Sequence, residues 1–447
     1  NFPPSRRREG LRLPMPTSNG KAWRTGLALS IRPRLCFGPR RHKSGIDPGT
    51  VRLRLSGCGT RYGFTRMADA TAVLESVKEL ARIFAAARRE RQLRRELDPR
   101  DFIALRDAGF LLTGVPADSG GLWVDVPHST RPTAAILREL ARGDPSVALV
   151  SSMHPTVLSI WHATRDVPAP FQDAWRTQRN EVSQFAAAGA WWGTITSEPG
   201  SGGDVANTKA AASLDAGGTW RLTGQKHFGS GSGLTSFVIT TAVPRGEQGP
   251  DWFFVDMRGR AWDGSAGVRL LAPWDGHGMQ ATQSHAMAFD SVPATRVSWP
   301  GNWKALADAA GPFIASVFTA VILGIVDEAI ECARRDLAGK KDRLRAYERV
   351  EWTRAELEAW LAVQAFEGML RAIEQTPTPH VFVLRGKTAV AELAESVLQR
   401  ICRVMGGGTF ARHSPYGFWF EDVRALGFLR PPWALAMDTL YEAGWPQ

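Results

Sequence analysis

Near its middle the chain contains the stretch Ser197-Glu198-Pro199-Gly200-Ser201-Gly202-Gly203-Asp204. Its glycines and small hydroxyl residues predict a loop whose backbone can approach a ligand closely, since glycine carries no side chain to obstruct it. A β-strand pattern follows at 220–224, then Gln225-Lys226-His227-Phe228-Gly229-Ser230, then a second β-strand pattern at 237–243. The stretch is therefore predicted to be a loop at the end of a strand in a β-sheet domain.

Hydrophobic spacing divides the chain after residue 66 into three regions. From 67 to 190 the apolar residues recur mostly at the spacing of α-helices. From 191 to 300 the apolar runs are short, β-branched or aromatic, and Gly, Asp and Pro separate them, which predicts an antiparallel β-domain. From 303 to 447 helical spacing returns in four segments, enough for a helical bundle. The predicted fold class is α+β, with an N-terminal α-helical domain, a middle antiparallel β-domain and a C-terminal four-helix bundle.

Three further motifs accompany the loop. They are a segment from Gly276-His277-Gly278 to His285, the run Met405-Gly406-Gly407-Gly408, and Glu421-Asp422-Val423-Arg424. Each motif alone is ordinary turn or helix sequence. The information lies in their order and spacing.

In this order the motifs resemble those of the acyl-CoA dehydrogenase superfamily of flavoproteins, from about Met67 to the end of the chain. The resemblance implies a flavin between the β-domain and the bundle, with FAD as the expected cofactor and FMN as the alternative. It assigns the aromatic Phe228 to cover the flavin ring and Ser230 to lie beside it. The loop residues that it assigns to the flavin are Thr196, Ser197, Gly200 and Gly202.

The motifs of the predicted bundle resemble those of the family less closely than the loop does. Gly406 and Gly407 match the pair that receives the diphosphate end of a neighbouring subunit's cofactor. The Gln that precedes this pair in the family is replaced here, and the family's Arg-x-x-Phe-Gly segment is not recognisable. Arg334 and Arg335 are the nearest candidates for a diphosphate partner, and a solvated helix face explains them equally well. In the loop, Gly203 replaces the family's Ser, so one hydroxyl is lost.

The catalytic base of the family is missing. Dehydrogenation of an acyl thioester needs a carboxylate to remove the α-proton. Most of the family places this Glu a few residues beyond the motif at 421–424, where this chain has Arg430 or a proline. A minority places it on the first bundle helix, where the stretch 313–318 is apolar. Glu198 is predicted to be structural because it belongs to the loop itself.

Three functions follow from these observations. The first is an FAD-dependent oxidoreductase acting on an acyl-CoA or a similar apolar substrate, with an electron-transfer flavoprotein as partner. The alternative is a two-component monooxygenase of the same fold, which takes reduced flavin from a flavin reductase and uses oxygen. The third is a non-catalytic scaffold. The candidate catalytic residues are His227 and Arg430, and His277 and Ser230 are further candidate proton donors.

The net charge of +11 arises from the N-terminal segment 1–66, called the leader below. Residues 1–66 hold 15 Lys/Arg and 2 Asp/Glu, whereas the remaining residues hold 40 and 42. The nearly neutral body predicts no nucleic-acid partner, and the absence of a long apolar run predicts no membrane segment. The leader is predicted to be disordered. It is interpreted as upstream sequence ahead of a start at Met67, as a transit peptide or as a basic arm for polyanions.

The cysteines and histidines indicate whether the chain forms disulfides or binds a metal. The four cysteines are scattered without a Cys-x-x-Cys pair, so a reducing compartment is predicted. The cytoplasm is the expected location, with the mitochondrial matrix as the alternative if the leader is a transit peptide. His154 and His162 have no carboxylate helper, so no metal site is predicted.

A homodimer or homotetramer is predicted from the resemblance and from one helix. The segment 381–404 carries a broad apolar face that a short bundle is not expected to cover by itself. That face comprises Val383, Leu384, Val390, Leu393, Val397, Leu398 and Ile401.

Overall fold

The computed structural model describes residues 69–429 and 431–445. The predicted leader at 1–66 and the candidate catalytic residue Arg430 lie outside the described residues. The N-terminal region of the described chain is helical. Its helices are α1 Ala70–Ala86, α2 Arg88–Arg91, α3 Pro99–Asp107, α4 Val126–Gly143, α5 Pro145–His162 and α6 Gln172–Ala187.

Two Asp-Pro pairs set helix starts in this region. The carboxylate of Asp98 accepts a hydrogen bond from the backbone N–H of Arg100 at the start of α3, and that of Asp144 accepts one from Val147 at the start of α5. In both helices proline occupies the first turn, where its missing N–H costs nothing. α6 was not predicted, because its apolar residues are sparse and most of its surface is exposed.

The middle region forms a seven-stranded sheet in the described chain. Its strands are β1 Trp192–Thr194, β2 Ala211–Leu214, β3 Trp220–Gly229, β4 Phe237–Pro244, β5 Asp251–Asp256, β6 Val268–Ala272 and β7 His285–Arg296. The pairings run β4-β2-β3-β7-β5 and return to β4, with β1 added on β4 and β6 on β7. Most pairs are antiparallel, but β1–β4 and β2–β4 are parallel. The prediction of a purely antiparallel domain is therefore wrong in these two pairs.

The C-terminal region contains five helices among the residues described, one more than predicted. They are α7 Trp303–Ala338, α8 Ala346–Gln375, α9 His380–Met405, α10 Pro415–Gly427 and α11 Trp433–Gly444. α7 packs against α4, α5, α8 and α9. An 18-residue window of α7 has a mean hydropathy of 2.2 and is long enough to span a membrane, but 83% of it is buried inside the protein. Its apolar character on all sides is that of a core helix.

The apolar face predicted on α9 does not remain open. Val390, Val397 and Ile401 are fully buried, and α9 packs mainly against α8 and α7. At Gly386 a Cβ atom would lie 2.0 Å from Cγ of Met369 on α8, so the two helices approach closely there. The argument for an oligomer from this face is therefore wrong, because the bundle of one chain covers it.

The loop before β7 joins the β-domain to α10 of the bundle. Asp422 on α10 accepts a hydrogen bond of 2.6 Å from the backbone N–H of Met279. A Cβ at Gly278 would lie 2.2 Å from the carbonyl oxygen of Glu421, so only glycine fits between the loop and α10. The predicted motifs around Gly276 and Glu421 are thus the two sides of one interface.

Candidate functional site

The loop at 197–204 is held by a buried ion pair. The Glu198 carboxylate accepts hydrogen bonds from the backbone N–H groups of Lys209 and Ala210, at 2.6 and 3.2 Å. It also accepts one from Nζ of Lys226 on β3, which donates to the Thr241 carbonyl as well. The side chains of Glu198 and Lys226 are 3% and 0% exposed. Glu198 is therefore structural, as the sequence predicted.

The glycines of this loop lie partly next to open space and partly next to the bundle. Gly200, Gly202 and Gly203 all have positive φ, at 73°, 64° and 81°. No heavy atom outside its immediate chain neighbours lies within 4 Å of a Cβ placed on Gly202, whereas a Cβ on Gly203 would lie 3.0 Å from Cγ of Pro432. The loop thus leaves open space at Gly202 and touches the segment after α10 at Gly203. That segment is where the family's base is expected.

Phe228 is presented to solvent in an uncommon backbone conformation. It has a φ of 58°, a region that costs a non-glycine residue about 1 kcal/mol, and its side chain is 59% exposed. The preceding residue, His227, is held because its N–H donates to the Ser197 carbonyl at 2.8 Å. The Phe228 ring meets the edge of Trp274, 6.0 Å away between ring centres. A strained, exposed aromatic ring beside a glycine loop suits a platform for a flat ligand.

Ser230 lies just behind this ring in a hydroxyl chain. Its Oγ is 2.8 Å from Oγ of Ser284, which lies 2.7 Å from Oγ1 of Thr282. Ser230 is 8% exposed. Because a hydroxyl carries one donor and two acceptor sites, Ser230 retains hydrogen-bonding capacity beyond this contact. Thr196, at the end of β1, is half-buried.

Two candidate donors differ in position. His227 is half-buried on β3, with its ring 6.3 Å from that of Phe228. His277 is exposed on the loop before β7 and lines cavities next to the bundle. The His227 ring therefore lies next to that of Phe228, whereas His277 lies at the cavities next to the bundle.

Gly406 and Gly407 lie apart from the loop residues. They line a cavity of about 920 Å³, together with Arg95, Phe410 and other residues of the α9–α10 connection. Thr196, Phe228 and Ser230 are not among the residues lining it. Arg334 and Arg335 form ion pairs with glutamates of α7 and α8, including Glu331 and Glu356. The arginines proposed for a diphosphate are thus engaged elsewhere.

A second cavity, of about 670 Å³, adjoins Trp274 and the segment after α10. Its aromatic wall includes Phe428 and Trp433. Three carboxylates also line it, those of Glu392, Glu395 and Glu421. Burial raises the pKa of the Glu395 carboxyl. Sequence reasoning missed Trp274 and Glu395, because neither belongs to a motif of the resembled family.

A buried lysine supports the segment after α10. Nζ of Lys387 on α9 donates to the Pro431 carbonyl, and the residue is 4% exposed. Burial lowers the pKa of this ammonium group to about 8. The signal for Lys387 was present in the sequence, since it falls on the apolar stripe of α9 between Leu384 and Val390.

The remaining histidines do not form a metal site. Nε2 of His154 donates to the Leu111 carbonyl at 3.0 Å, and Nδ1 accepts from the Trp192 N–H at 3.3 Å. Burial lowers the pKa of His154 to about 4. Within residues 69–429 and 431–445 no cluster of three His, Cys, Asp or Glu side chains could hold a metal ion.

The chain matches a known family in its β-domain. The family model described as "Acyl-CoA dehydrogenase, middle domain" matches residues 193–292. A dibenzothiophene monooxygenase from Mycolicibacterium goodii is 25% identical over 316 residues, which cover 66% of this chain and 66% of that protein. "Probable FMNH2-dependent monooxygenase SfnC" from Pseudomonas putida is 28% identical over 59% of this chain and 61% of that protein.

Solved structures match most of this chain in fold. The FMN-bound crystal structure of TdsC from Paenibacillus sp. A11-2 matches with a TM-score of 0.67 at 20% identity, covering 83% of this chain and 96% of that chain. A nitrososynthase from Micromonospora carbonacea matches with a TM-score of 0.70 at 20% identity, covering 86% and 99%. Together with the family match, these structures confirm the resemblance predicted from the motifs.

Proposed function

We propose that this chain, a member of the acyl-CoA dehydrogenase superfamily, is a two-component monooxygenase that uses reduced FMN and oxygen on a small apolar, aromatic-like substrate. The observation that carries the proposal is the segment after α10. It touches the loop at Gly203 through Pro432, and no carboxylate stands between Asp422 and Asp438. Asp438 is exposed on α11. The position of the dehydrogenase base is therefore next to the loop but holds no base.

The residues of this chain fit a bound flavin ring. Bound reduced flavin would supply the two electrons with which one atom of oxygen enters the substrate while the other leaves as water. Phe228 offers a flat apolar face for the ring, and the open space at Gly202 admits the ligand close to the backbone. Ser230 and Thr196 supply hydroxyls for its polar edge. The aromatic side chains of Trp274, Phe428 and Trp433 would exclude water from the substrate.

FMN is proposed in place of FAD. Most departures from the family fall on the bundle segments that hold the diphosphate end of FAD, whereas the loop for the ring differs mainly in Gly203, which replaces a Ser. Arg334 and Arg335 are paired with glutamates. The names of an FMN-bound neighbour and an FMNH2-dependent relative also support this choice.

The decisive experiment supplies the purified chain with FMN, NADH, a flavin reductase and oxygen, and offers it a panel of aromatic sulfur and nitrogen compounds. We expect an oxygenated product whose formation requires both the reductase and oxygen. In a parallel anaerobic experiment with oxidised flavin, we expect no bleaching by straight-chain acyl-CoA, since no base removes the α-proton. Rapid bleaching by acyl-CoA would contradict the proposal.

Dehydrogenation remains the second candidate because Glu395 reaches the neighbouring cavity. Burial raises the pKa of its carboxyl, as is common for carboxyl groups that exchange protons with a substrate. If acyl-CoA does bleach the flavin, Glu395→Gln is the test: loss of bleaching by more than about a hundredfold would assign the base to Glu395. Glu392→Gln is the matched control, because Glu392 lines the same cavity but is exposed.

Ser230→Ala is expected to weaken FMN binding by about tenfold, since it removes a hydroxyl beside the ring's polar edge. Ser284→Ala is the matched control, because it removes the hydrogen-bond partner of Ser230 and leaves Ser230 itself in place. Flavin fluorescence titration measures both affinities. Equal FMN affinity in wild type and Ser230→Ala would remove Ser230 from the site.

A homo-oligomer is proposed through α8 and not through α9. Five large apolar residues of α8 are exposed, namely Tyr347, Val350, Leu357, Trp360 and Leu361. Val350, Leu357 and Leu361 share one helix face by their spacing, and Trp360 adjoins them. An exposed apolar face of this kind marks an interaction surface.

Trp360→Glu is therefore expected to convert the oligomer to monomers at micromolar concentration, because it places a charge on that face. Leu214→Glu is the matched control, since Leu214 is an equally exposed apolar residue on β2. Light scattering measures the mass of each variant. A monomeric wild type at that concentration would contradict the prediction.

A further inference from the structure

A separate cavity of about 450 Å³ lies at the C-terminal end of α5. Its lining includes Trp123, His162, Trp175, Arg165 and Arg179. His162 ends α5, whereas Val150 near the other end of that helix contacts the loop at Gly231. Twelve residues separate Val150 and His162, which is about 18 Å along the helix. The cavity is therefore distinct from the proposed flavin site.

The cavity wall carries buried polar atoms that make no hydrogen bond within the described part of the chain. They are Nε1 of Trp123 and Nε1 of Trp175. The buried ring of His162 lies 5.9 Å from the Trp123 ring, between ring centres, and interacts with the Gly114 backbone. The three side chains are 3%, 5% and 7% exposed. Buried donors are rarely left without a partner, because they have lost their water and gained nothing in return. Two such donors at one cavity indicate a ligand.

The charges around the cavity favour an anion. Arg179 on α6 forms no ion pair with any described residue, and its positive charge contributes to lowering the pKa of His162. Burial is the larger cause, and together they lower that pKa to about 3, so the ring is neutral; the interaction with the Gly114 backbone acts in the opposite direction. Arg165 is paired with Asp125 at 2.7 Å. Asp118, on the rim, is exposed to solvent.

The rest of the wall is apolar. Pro116, Val124 and Val167 line the cavity beside the indole rings. Inorganic phosphate would accept hydrogen bonds from the buried N–H donors, but the apolar part of the wall would stay in contact with water. An organic anion can accept hydrogen bonds from the donors and also cover the apolar surface.

We infer that this cavity binds a small organic anion with an apolar body. Its charged head pairs with the guanidinium of Arg179 and accepts hydrogen bonds from the indole N–H groups of Trp123 and Trp175. The apolar body lies against Val124 and Val167. This site is independent of flavin, and its function does not rest on the proposed monooxygenase activity.

The test measures benzoate binding to the full chain by titration calorimetry without added flavin. We expect saturable binding with one site per chain, and affinities about tenfold weaker for both benzamide and inorganic phosphate. Arg179→Gln is expected to weaken benzoate binding by about tenfold, and Trp175→Phe, which keeps a ring but removes the donor, by about threefold. Arg176→Gln is the matched control, because Arg176 lies on the same helix but is exposed and paired with Asp173.

Four results would overturn the inference. The first is no saturable binding of benzoate at millimolar concentration, which would leave water as the occupant. The second is equal benzoate affinity in wild type, Arg179→Gln and Trp175→Phe. The third is phosphate binding as tight as benzoate binding. The fourth is competition between benzoate and FMN, which would place the probe at the flavin site. Folding of each variant is checked by its thermal unfolding, so that a lost affinity reports the site.

Discussion

Lys226→Met is expected to lower the free energy of unfolding by about 3–5 kcal/mol, because it leaves the Glu198 carboxylate buried without its cation. Glu198 anchors the loop through the N–H groups of Lys209 and Ala210. An unpaired carboxylate at this depth draws water or takes up a proton, and either change loosens the loop. We therefore expect proteolysis within 197–204 and weaker FMN binding in the same variant. Urea unfolding measures the loss of stability.

The double variant Glu198→Gln/Lys226→Met separates the charge from the packing. It removes both charges, while the amide oxygen of the glutamine can still accept from the two backbone N–H groups. We expect it to be more stable than Lys226→Met alone. Lys209→Met is the matched control, since Lys209 is an exposed lysine whose Nζ donates to the loop at the Pro199 carbonyl but pairs with no carboxylate of the described residues, and it should change stability by no more than about 1 kcal/mol. A Lys226→Met protein within about 1 kcal/mol of wild type would show that the pair does not hold the loop.

The predictions from sequence succeeded where one local signal decided the structure. Asp144-Pro145 predicted the start of α5, and the Asp144 side chain caps it. The strand patterns at 220–224 and 237–243 fall in β3 and β4. α10 was missed because Gly417 and its cluster of aromatic residues obscure helical spacing. The parallel pairing of β4 could not be predicted, since a strand pattern does not identify its neighbours.

The candidate site was predicted in part for the same reason. The glycine loop and Phe228 were found because they are adjacent in sequence to recognisable motifs. The contact between Lys226 and Glu198 joins residues 28 positions apart, and that between Gly203 and Pro432 spans more than two hundred. Such pairs depend on the fold and leave no local pattern. The first contact holds the loop within the β-domain, and the second places it against the bundle.

Long-range packing also explains why the argument for an oligomer failed. The apolar face of α9 was visible in the sequence, but its partners on α7 and α8 were not. The exposed residues of α8, among them Leu357 and Trp360, have an ordinary mixed spacing, and only the structure shows that no residue within 69–429 and 431–445 covers them. Hydrophobic periodicity predicts that a face is buried, but not whether the same chain buries it.

The second large effect concerns pH and the interface between the β-domain and α10. Burial raises the pKa of Asp422 to about 7, the carboxylates of Asp144 and Glu421 add to the rise, and the Met279 N–H opposes it. A raised pKa in the folded state means that the stabilising contribution is full below the ordinary value of 3.8 and is lost as pH rises through about 7. The difference between these values corresponds to about 4 kcal/mol of unfolding free energy.

Asp422→Asn is expected to remove this pH dependence, because an amide oxygen still accepts from the Met279 N–H but does not ionise. The variant should match wild type near pH 4 and exceed it in stability by up to about 4 kcal/mol at pH 8. His154 and His162, whose pKa values are lowered, destabilise the fold toward acid in both proteins, so the difference between the two urea-unfolding curves reports Asp422 alone. Asp438→Asn is the matched control, since Asp438 is an exposed carboxylate on α11 and should leave the profile unchanged. Parallel pH profiles for wild type and Asp422→Asn would mean that Asp422 stays ionised, and that the loop at Gly278 docks on a buried carboxylate throughout the physiological range.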